Sequence, residues 1–85
     1  MFINKTHDGL NNVCGKNIMN KRKALGLSQR ELADKLQISG LDIDKNAIQR
    51  IECGKRFVTD IEIIALSDTL KLSYEEILSI NGGHR

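Results

Sequence analysis

Three copies of the pattern Ser/Thr-x-x-Glu, beginning at Ser28, Thr59 and Ser73, predict where helices start in this chain. Each copy is the signature of a capping box, in which a hydroxyl and a carboxylate satisfy the free N–H groups of a helix's first turn. Proline is absent from all 85 residues, so no residue type forces a break inside a helix. These features predict an all-α fold.

Two more helices complete the prediction. The first is expected over residues 13–25, with Asn12 as its N-cap and Gly26 as the residue that stops it. The other follows Asp44, a good N-cap, and covers residues 45–53. We therefore predict a compact five-helix bundle over residues 12–81. The flanking residues 1–11 and 82–85 are expected to be tails, the first of them flexible.

Apolar residues at helical spacing predict which side chains are buried. Ala33 is small, which suits a position where helices 2 and 3 cross closely. The inward-facing set is expected to be Val13, Ile18, Arg22, Leu25, Leu32, Ala33, Leu36, Leu41, Ile43, Ala47, Ile48, Ile51, Ile61, Ile64, Ala65, Leu66 and Leu70.

The predicted third helix has two contrasting faces. At about 100° per residue, Ala47, Ile48 and Ile51 fall on one side. The opposite side is polar, and amides, ammonium and guanidinium groups suit phosphates and base edges. A helix that is held by its apolar side and offers these groups outward fits a reading helix for the DNA major groove. The polar side comprises Lys45, Asn46, Gln49, Arg50 and Cys53.

Charge is distributed unevenly along the chain. The formal net charge is only +2, but residues 15–56 hold ten Lys and Arg against five Asp and Glu, net +5. Residues 57–85 hold two basic against five acidic residues, net −3. A DNA-facing half and a distal half would show this difference. Ordinary surface charge on helices explains it equally well.

The sequence offers little for catalysis, metal binding or membrane insertion. Cys14 and Cys53 are far apart and in no zinc-binding pattern, so both are expected to be core or half-buried residues. His7 and His84 lie in the predicted tails, and no glycine-rich phosphate loop is present. No apolar run approaches a membrane span, and the N-terminus lacks a signal-peptide pattern. We predict a cytoplasmic protein that is not an enzyme and uses no cofactor or metal.

Three stretches resemble the Cro/phage-repressor type, or XRE-like, helix-turn-helix proteins. They read GLSQRELADKL, AIQRIECGKR and LKLSYEEIL, and the resemblance covers residues 13–80. The fold of that family places helix 2 across the DNA backbone and helix 3 in the major groove.

The resemblance implies roles for individual residues. Glu52 would be structural and would pair with a cation such as Arg22. Lys55 and Arg56 would bind DNA phosphates, and Gln29 would bind a phosphate or assist base contacts. The base-reading residues would be Lys45, Asn46, Gln49 and Arg50.

The chain departs from the family pattern at two places. The turn between helices 2 and 3 is about five residues longer than usual, and Gln37 stands where a glycine usually follows helix 2. This length puts the angle of helix 3 in question, and a rotation could exchange the roles of its polar residues. Lys21 stands where helix 1 usually carries an apolar residue, and its stem can cover the core while the amine reaches water.

The family implies a sequence-specific regulator of transcription, acting as a repressor on double-stranded DNA with a pseudo-palindromic operator. The alternative is a protein-interaction module or antitoxin-like subunit with the same fold. Family members bind paired half-sites, so we expect a homodimer. The apolar residues of helix 5 could form the dimer surface or could pack on helix 1 or 4; they are Tyr74, Ile77, Leu78 and Ile80.

Overall fold

The computed structural model describes residues 5–80, which form five α-helices and no β-strand. The predicted all-α five-helix fold is therefore confirmed. The helices are α1 (Gly15–Ala24), α2 (Gln29–Ile38), α3 (Lys45–Glu52), α4 (Asp60–Leu70) and α5 (Tyr74–Ile77).

The three predicted capping boxes form at the starts of α2, α4 and α5. In α2, the Glu31 backbone N–H donates to Ser28 Oγ at 3.0 Å, and the Ser28 N–H donates to Glu31 Oε1 at 2.8 Å. α3 begins at the predicted cap, where Asp44 Oδ1 accepts from the Ala47 N–H at 2.8 Å. These local sequences therefore fix four of the five helix starts.

The start of α1 differs from the prediction. The helix begins at Gly15, two residues later than expected, and Cys14 occupies the N-cap position without a side-chain cap. Asn12 Oδ1 still accepts from the Gly15 N–H at 2.9 Å. Val13 precedes the helix and is exposed, and Leu25 is exposed beyond its C-terminal end.

A single hydrophobic core joins all five helices and the turn before α3. Burial raises the pKa of the Cys14 thiol to about 11, which keeps it protonated and unreactive near neutral pH. Cys53, in contrast, is exposed, which corrects the expectation that both cysteines are core or half-buried. The buried apolar residues are Cys14, Ile18, Leu32, Ala33, Leu36, Ile43, Ala47, Ile48, Ile51, Leu66, Leu70 and Ile77.

The predicted buried face of α4 is wrong at two positions. Ile61 and Ile64 are 68% and 54% exposed, whereas Leu66 and Leu70 are fully buried. Ile64 lies about 160° around the helix from Leu66, so both cannot face the same core. Because α4 is apolar on most sides, its periodicity does not identify which side packs.

α5 is shorter than predicted. It ends at Ile77, and of its predicted apolar residues only Ile77 is buried. Asn17 of α1 donates to the carbonyls of Ile77 and Ser79 at 2.9 and 2.8 Å, satisfying backbone oxygens that a longer helix would use. The other predicted apolar residues of this helix are exposed: Tyr74, Leu78 and Ile80.

Part of the predicted N-terminal tail forms a turn. The Thr6 N–H donates to the Leu10 carbonyl at 2.7 Å, and the Asn11 N–H donates to the Gly54 carbonyl at 2.7 Å. Residues 1–4 and the predicted C-terminal tail, 82–85, lie outside the described residues. Within residues 5–80, no helix has the length and apolar character needed to cross a membrane.

Candidate nucleic-acid interface

α3 presents the two faces that its sequence predicts. Ala47, Ile48 and Ile51 are buried, with exposed fractions of 7%, 0% and 0%. The buried face packs against α1 and α2, and the helix is therefore held along its length. The exposed face carries all four predicted base-reading residues: Lys45, Asn46, Gln49 and Arg50.

The long turn before α3 is held at both ends. Gly40 ends α2 in the left-handed region, with φ +105°, and the Leu41 N–H donates to the Leu36 carbonyl at 2.9 Å. Gln37 Nε2 donates to the Ile43 carbonyl at 2.7 Å, and the Ile43 side chain is buried in the core. Gln37, which stands where a glycine is usual, thus fixes the lengthened turn between α2 and α3 against α2.

Glu52, the last residue of α3, connects three helices. Its carboxylate accepts from Arg22 Nε at 2.6 Å and from Arg22 Nη2 at 2.9 Å. The side chains of Arg22 and Glu52 are only 9% and 3% exposed, and the hydrogen bond to Glu52 raises the pKa of Arg22. The structural role of Glu52 as the partner of Arg22 is therefore confirmed.

Gln29, a predicted phosphate-binding residue, joins this network. Its Nε2 donates to Glu52 Oε1 at 3.0 Å, and the side chain is half-buried at the start of α2. The contact uses one amide hydrogen, and an amide NH₂ has two. Gln29 can therefore hold the end of α3 and still donate to a phosphate.

The loop after α3 places the other two predicted phosphate-binding residues. Gly54 adopts φ +77°, and the Lys55 N–H donates to the Arg50 carbonyl at 2.9 Å, which turns the chain away from the helix. Lys55 is exposed. Arg56 is half-buried, and its Nη1 donates to Glu62 Oε1 of α4 at 2.9 Å.

Besides binding Arg56, Glu62 provides the capping-box carboxylate of α4. Burial raises its pKa, but hydrogen bonds from Arg56 and Thr59 outweigh burial and lower the pKa below the usual 4.5. Arg56 is thereby fixed to α4 through one of its five N–H donors.

Sequence reasoning missed the contacts that Asn11 and Asn12 make with this loop. Asn11 Nδ2 donates to the Lys55 carbonyl at 2.9 Å, and Asn12 Nδ2 donates to the Arg56 carbonyl at 2.8 Å. The partners are 44 residues apart in the chain. No local pattern could have revealed the pairing.

Residues 18–77 match the Helix-turn-helix family HTH_3. The chain belongs to this XRE-type helix-turn-helix family. Membership makes it a DNA-binding transcriptional regulator that acts on double-stranded DNA. Among the residues that the structure describes, no cluster of His, Cys, Asp and Glu could hold a metal ion.

Two solved structures are similar to this helix-turn-helix chain. The restriction-modification controller protein C.AhdI from Aeromonas hydrophila is 28% identical, with a TM-score of 0.65. The match covers 74% of this chain and 88% of the controller. A hypothetical transcription factor, NHTF from Neisseria, has a TM-score of 0.70 at 19% identity, covering 92% and 84%, and shows the fold alone. No curated protein matches the sequence.

Proposed function

We propose that this helix-turn-helix protein reads specific DNA sequences by inserting α3 into the major groove. The observation that carries this proposal is the exposed row of Lys45, Asn46, Gln49 and Arg50 on a helix whose other face is buried. Because the buried face of α3 packs against α1 and α2, the backbone positions that carry its polar side chains are fixed. Fixed positions are needed for bidentate contacts, which discriminate between bases by roughly 1–3 kcal/mol.

The roles within α3 follow from side-chain chemistry. Arg50 can donate two hydrogen bonds to guanine O6 and N7, and Asn46 can pair with adenine N6 and N7. Lys45 and Gln49 lie beside them and add further donors. α3 has eight residues and is thus about 12 Å long, a length that fits within the major groove.

Gln29, Lys55 and Arg56 are proposed to bind phosphates on either side of the reading helix. Two of them are tied to the C-terminal end of α3: Gln29 through Glu52, and Lys55 through the Arg50 carbonyl. Arg56 follows Lys55 and is fixed to Glu62 of α4. Phosphate contacts fix the register of a protein on the duplex without reading sequence. Replacing a base-reading residue and replacing a phosphate-binding residue should therefore change DNA binding in different, measurable ways.

We further propose that the protein acts as a repressor and binds a pseudo-palindromic operator as a homodimer. A single eight-residue reading helix covers a short half-site. Two copies on half-sites about 34 Å apart would double the sequence that is read. Occupying an operator requires only the DNA-binding domain, which suffices to block transcription at an overlapping promoter.

The experiment compares binding to an operator, selected from a random-sequence duplex library, with binding to a scrambled duplex over a salt series. Arg50→Ala and Asn46→Ala should lower operator affinity far more than scrambled-duplex affinity. Lys55→Ala and Arg56→Ala should weaken binding to the operator and to the scrambled duplex about equally. They should also reduce the salt slope, which is the slope of log affinity against log salt concentration, by about one unit per contact. Lys71→Ala, in the acidic half of the chain, is the control and should change neither the affinity for the two duplexes nor the salt slope.

The proposal fails if alanine at each of the four α3 positions weakens both duplexes equally. The alternative of a protein-interaction module predicts that the wild-type protein binds no duplex even at low salt. The exposed cations of α3 disfavour that alternative, because a helix-binding groove is apolar.

A further inference from the structure

We propose that Asn11 and Asn12 are positioning residues for the phosphate-binding loop, here residues 54–56. The inference rests on the proposed function of Lys55 and Arg56. It assigns a role in DNA affinity to the segment before α1.

Asn12 bridges α1 to both ends of the turn that follows α3. Its Nδ2 donates to the Ile51 carbonyl at 3.1 Å and to the Arg56 carbonyl at 2.8 Å. Its Oδ1 accepts from the Gly15 N–H at 2.9 Å. All three hydrogen bonds of this half-buried amide are made to backbone groups, and this one side chain therefore fixes the chain from Ile51 to Arg56.

Asn11 holds the middle of the same loop. Its backbone N–H donates to the Gly54 carbonyl at 2.7 Å, and its Nδ2 donates to the Lys55 carbonyl at 2.9 Å. Lys5 Nζ in turn donates to Asn11 Oδ1 at 2.7 Å. The two asparagines thus bind the carbonyls of three consecutive loop residues.

Close packing supports the same attachment. A Cβ atom added to Gly54 would lie 2.9 Å from Leu10 Cδ2, so the N-terminal segment rests directly on the loop backbone. The last carbonyls of a helix have no partner within that helix. At the end of α3, the Arg50 carbonyl accepts from the Lys55 N–H, and the Ile51 carbonyl accepts from the Gly54 N–H and from Asn12 Nδ2. Because Asn11 and Asn12 also bind the carbonyls of the loop, the backbone that carries Lys55 and Arg56 is held in one conformation.

A fixed backbone matters because a lysine or arginine that is already placed loses less conformational entropy when it binds a phosphate. Without the two asparagines, the loop could still carry its charges but would present them over many conformations. We therefore expect weaker phosphate contacts in a protein that remains folded.

Asn17 provides a matched control. Its Nδ2 also donates to two backbone carbonyls, those of Ile77 and Ser79, but these belong to α5 and the residues after it. A general loss of stability would therefore be shared by Asn12 and Asn17 variants. An effect on the phosphate-binding loop would be specific to Asn11 and Asn12.

The test measures the salt dependence of binding to a scrambled duplex, well below the melting midpoint of the least stable variant. The variants are Asn11→Ala, Asn12→Ser and Asn17→Ser; serine at residue 12 keeps an acceptor for the Gly15 N–H. Asn11→Ala and Asn12→Ser should each reduce the salt slope by about 0.9 per lost phosphate contact, and Asn17→Ser should keep the wild-type slope. In a Lys55→Ala background, Asn11→Ala should have little further effect on the slope, because the two act through one contact.

The inference is overturned if Lys55→Ala reduces the slope while Asn11→Ala and Asn12→Ser keep the wild-type value. It is also overturned if Asn17→Ser changes the slope as much as they do. If Lys55→Ala and Arg56→Ala leave the slope unchanged, the proposed role of the loop fails, and the inference fails with it.

Discussion

Arg22 of α1 donates two hydrogen bonds to the carboxylate of Glu52 at the end of α3, at 2.6 and 2.9 Å. Both side chains are almost fully removed from water. Breaking a buried ion pair by deleting one partner leaves an uncompensated charge and costs roughly 3–5 kcal/mol. Because a small domain has a total stability of about 5–15 kcal/mol, either deletion should remove a large part of it.

We expect Arg22→Ala and Glu52→Ala each to lower the free energy of unfolding by about 3–5 kcal/mol, measured by urea denaturation. The double variant Arg22→Met/Glu52→Leu should be more stable than either single variant, because no charge is left buried and unpaired. A double variant less stable than both single variants would contradict this account of the network.

Ala33→Leu should destabilise the protein by overpacking. Ala33 is 2% exposed in the core, where α2 packs against α3. Added methylene groups in such a position typically cost about 1–3 kcal/mol. An unchanged thermal midpoint would show that this crossing can accept a larger side chain. Asp34→Leu, at the neighbouring exposed position, is the control for added apolar volume.

Gly15→Ala should also destabilise the protein, although alanine normally stabilises a helix by about 1 kcal/mol relative to glycine. A Cβ on Gly15 would lie 2.1 Å from the Ile51 carbonyl oxygen, which is backbone and cannot move aside cheaply. We expect a loss of about 1–3 kcal/mol in urea denaturation, the usual range for overpacking. Lys16→Ala, at the next and exposed position of α1, should change stability little. A more stable Gly15→Ala protein would mean that α1 and α3 are not in close contact there.

Glu62 should make stability depend on pH in the acidic range. Its pKa in the folded protein is below the usual 4.5, so the folded state favours the ionised form. This stabilisation is complete above the unfolded pKa and is lost as pH falls through the folded pKa. In Glu62→Gln, the difference in unfolding free energy from wild type should therefore shrink as pH is lowered below about 4.5. If the difference in unfolding free energy between Glu62→Gln and wild type is constant from pH 7 to the acid limit, the lowered pKa of Glu62 is contradicted.

The proposed homodimer should depend on the exposed apolar side chains of α4 and α5. Ile61, Ile64 and Tyr74 are 68%, 54% and 57% exposed and line one groove. Ile64→Gln should shift sedimentation equilibrium towards monomer, because it places a polar amide in an apolar contact. Leu25→Gln, at an exposed residue after α1, is the control and should leave association unchanged. A wild-type protein that is monomeric at high concentration and binds its operator one copy at a time would exclude the dimer.

Local sequence determined the helix starts at Ser28, Asp44, Thr59 and Ser73, because a cap needs only residues within one turn. The two-faced character of α3 was likewise predictable, since its apolar residues recur at one helical period. Where α4 is apolar on most sides, periodicity could not choose a face, and the prediction of buried Ile61 and Ile64 was wrong.

Tertiary structure decided the contacts between segments distant in the chain. The family resemblance implied that Glu52 pairs with Arg22, but the addition of Gln29 and the pairing of Arg56 with Glu62 appear only once the helices are packed. The attachment of Asn11 and Asn12 to the loop after α3 is of the same kind, because an asparagine's sequence neighbours do not indicate which distant carbonyl it will reach. Capping and amphipathic pattern are local properties that the sequence contains; hydrogen bonds across more than 40 residues depend on how the core brings the chain together.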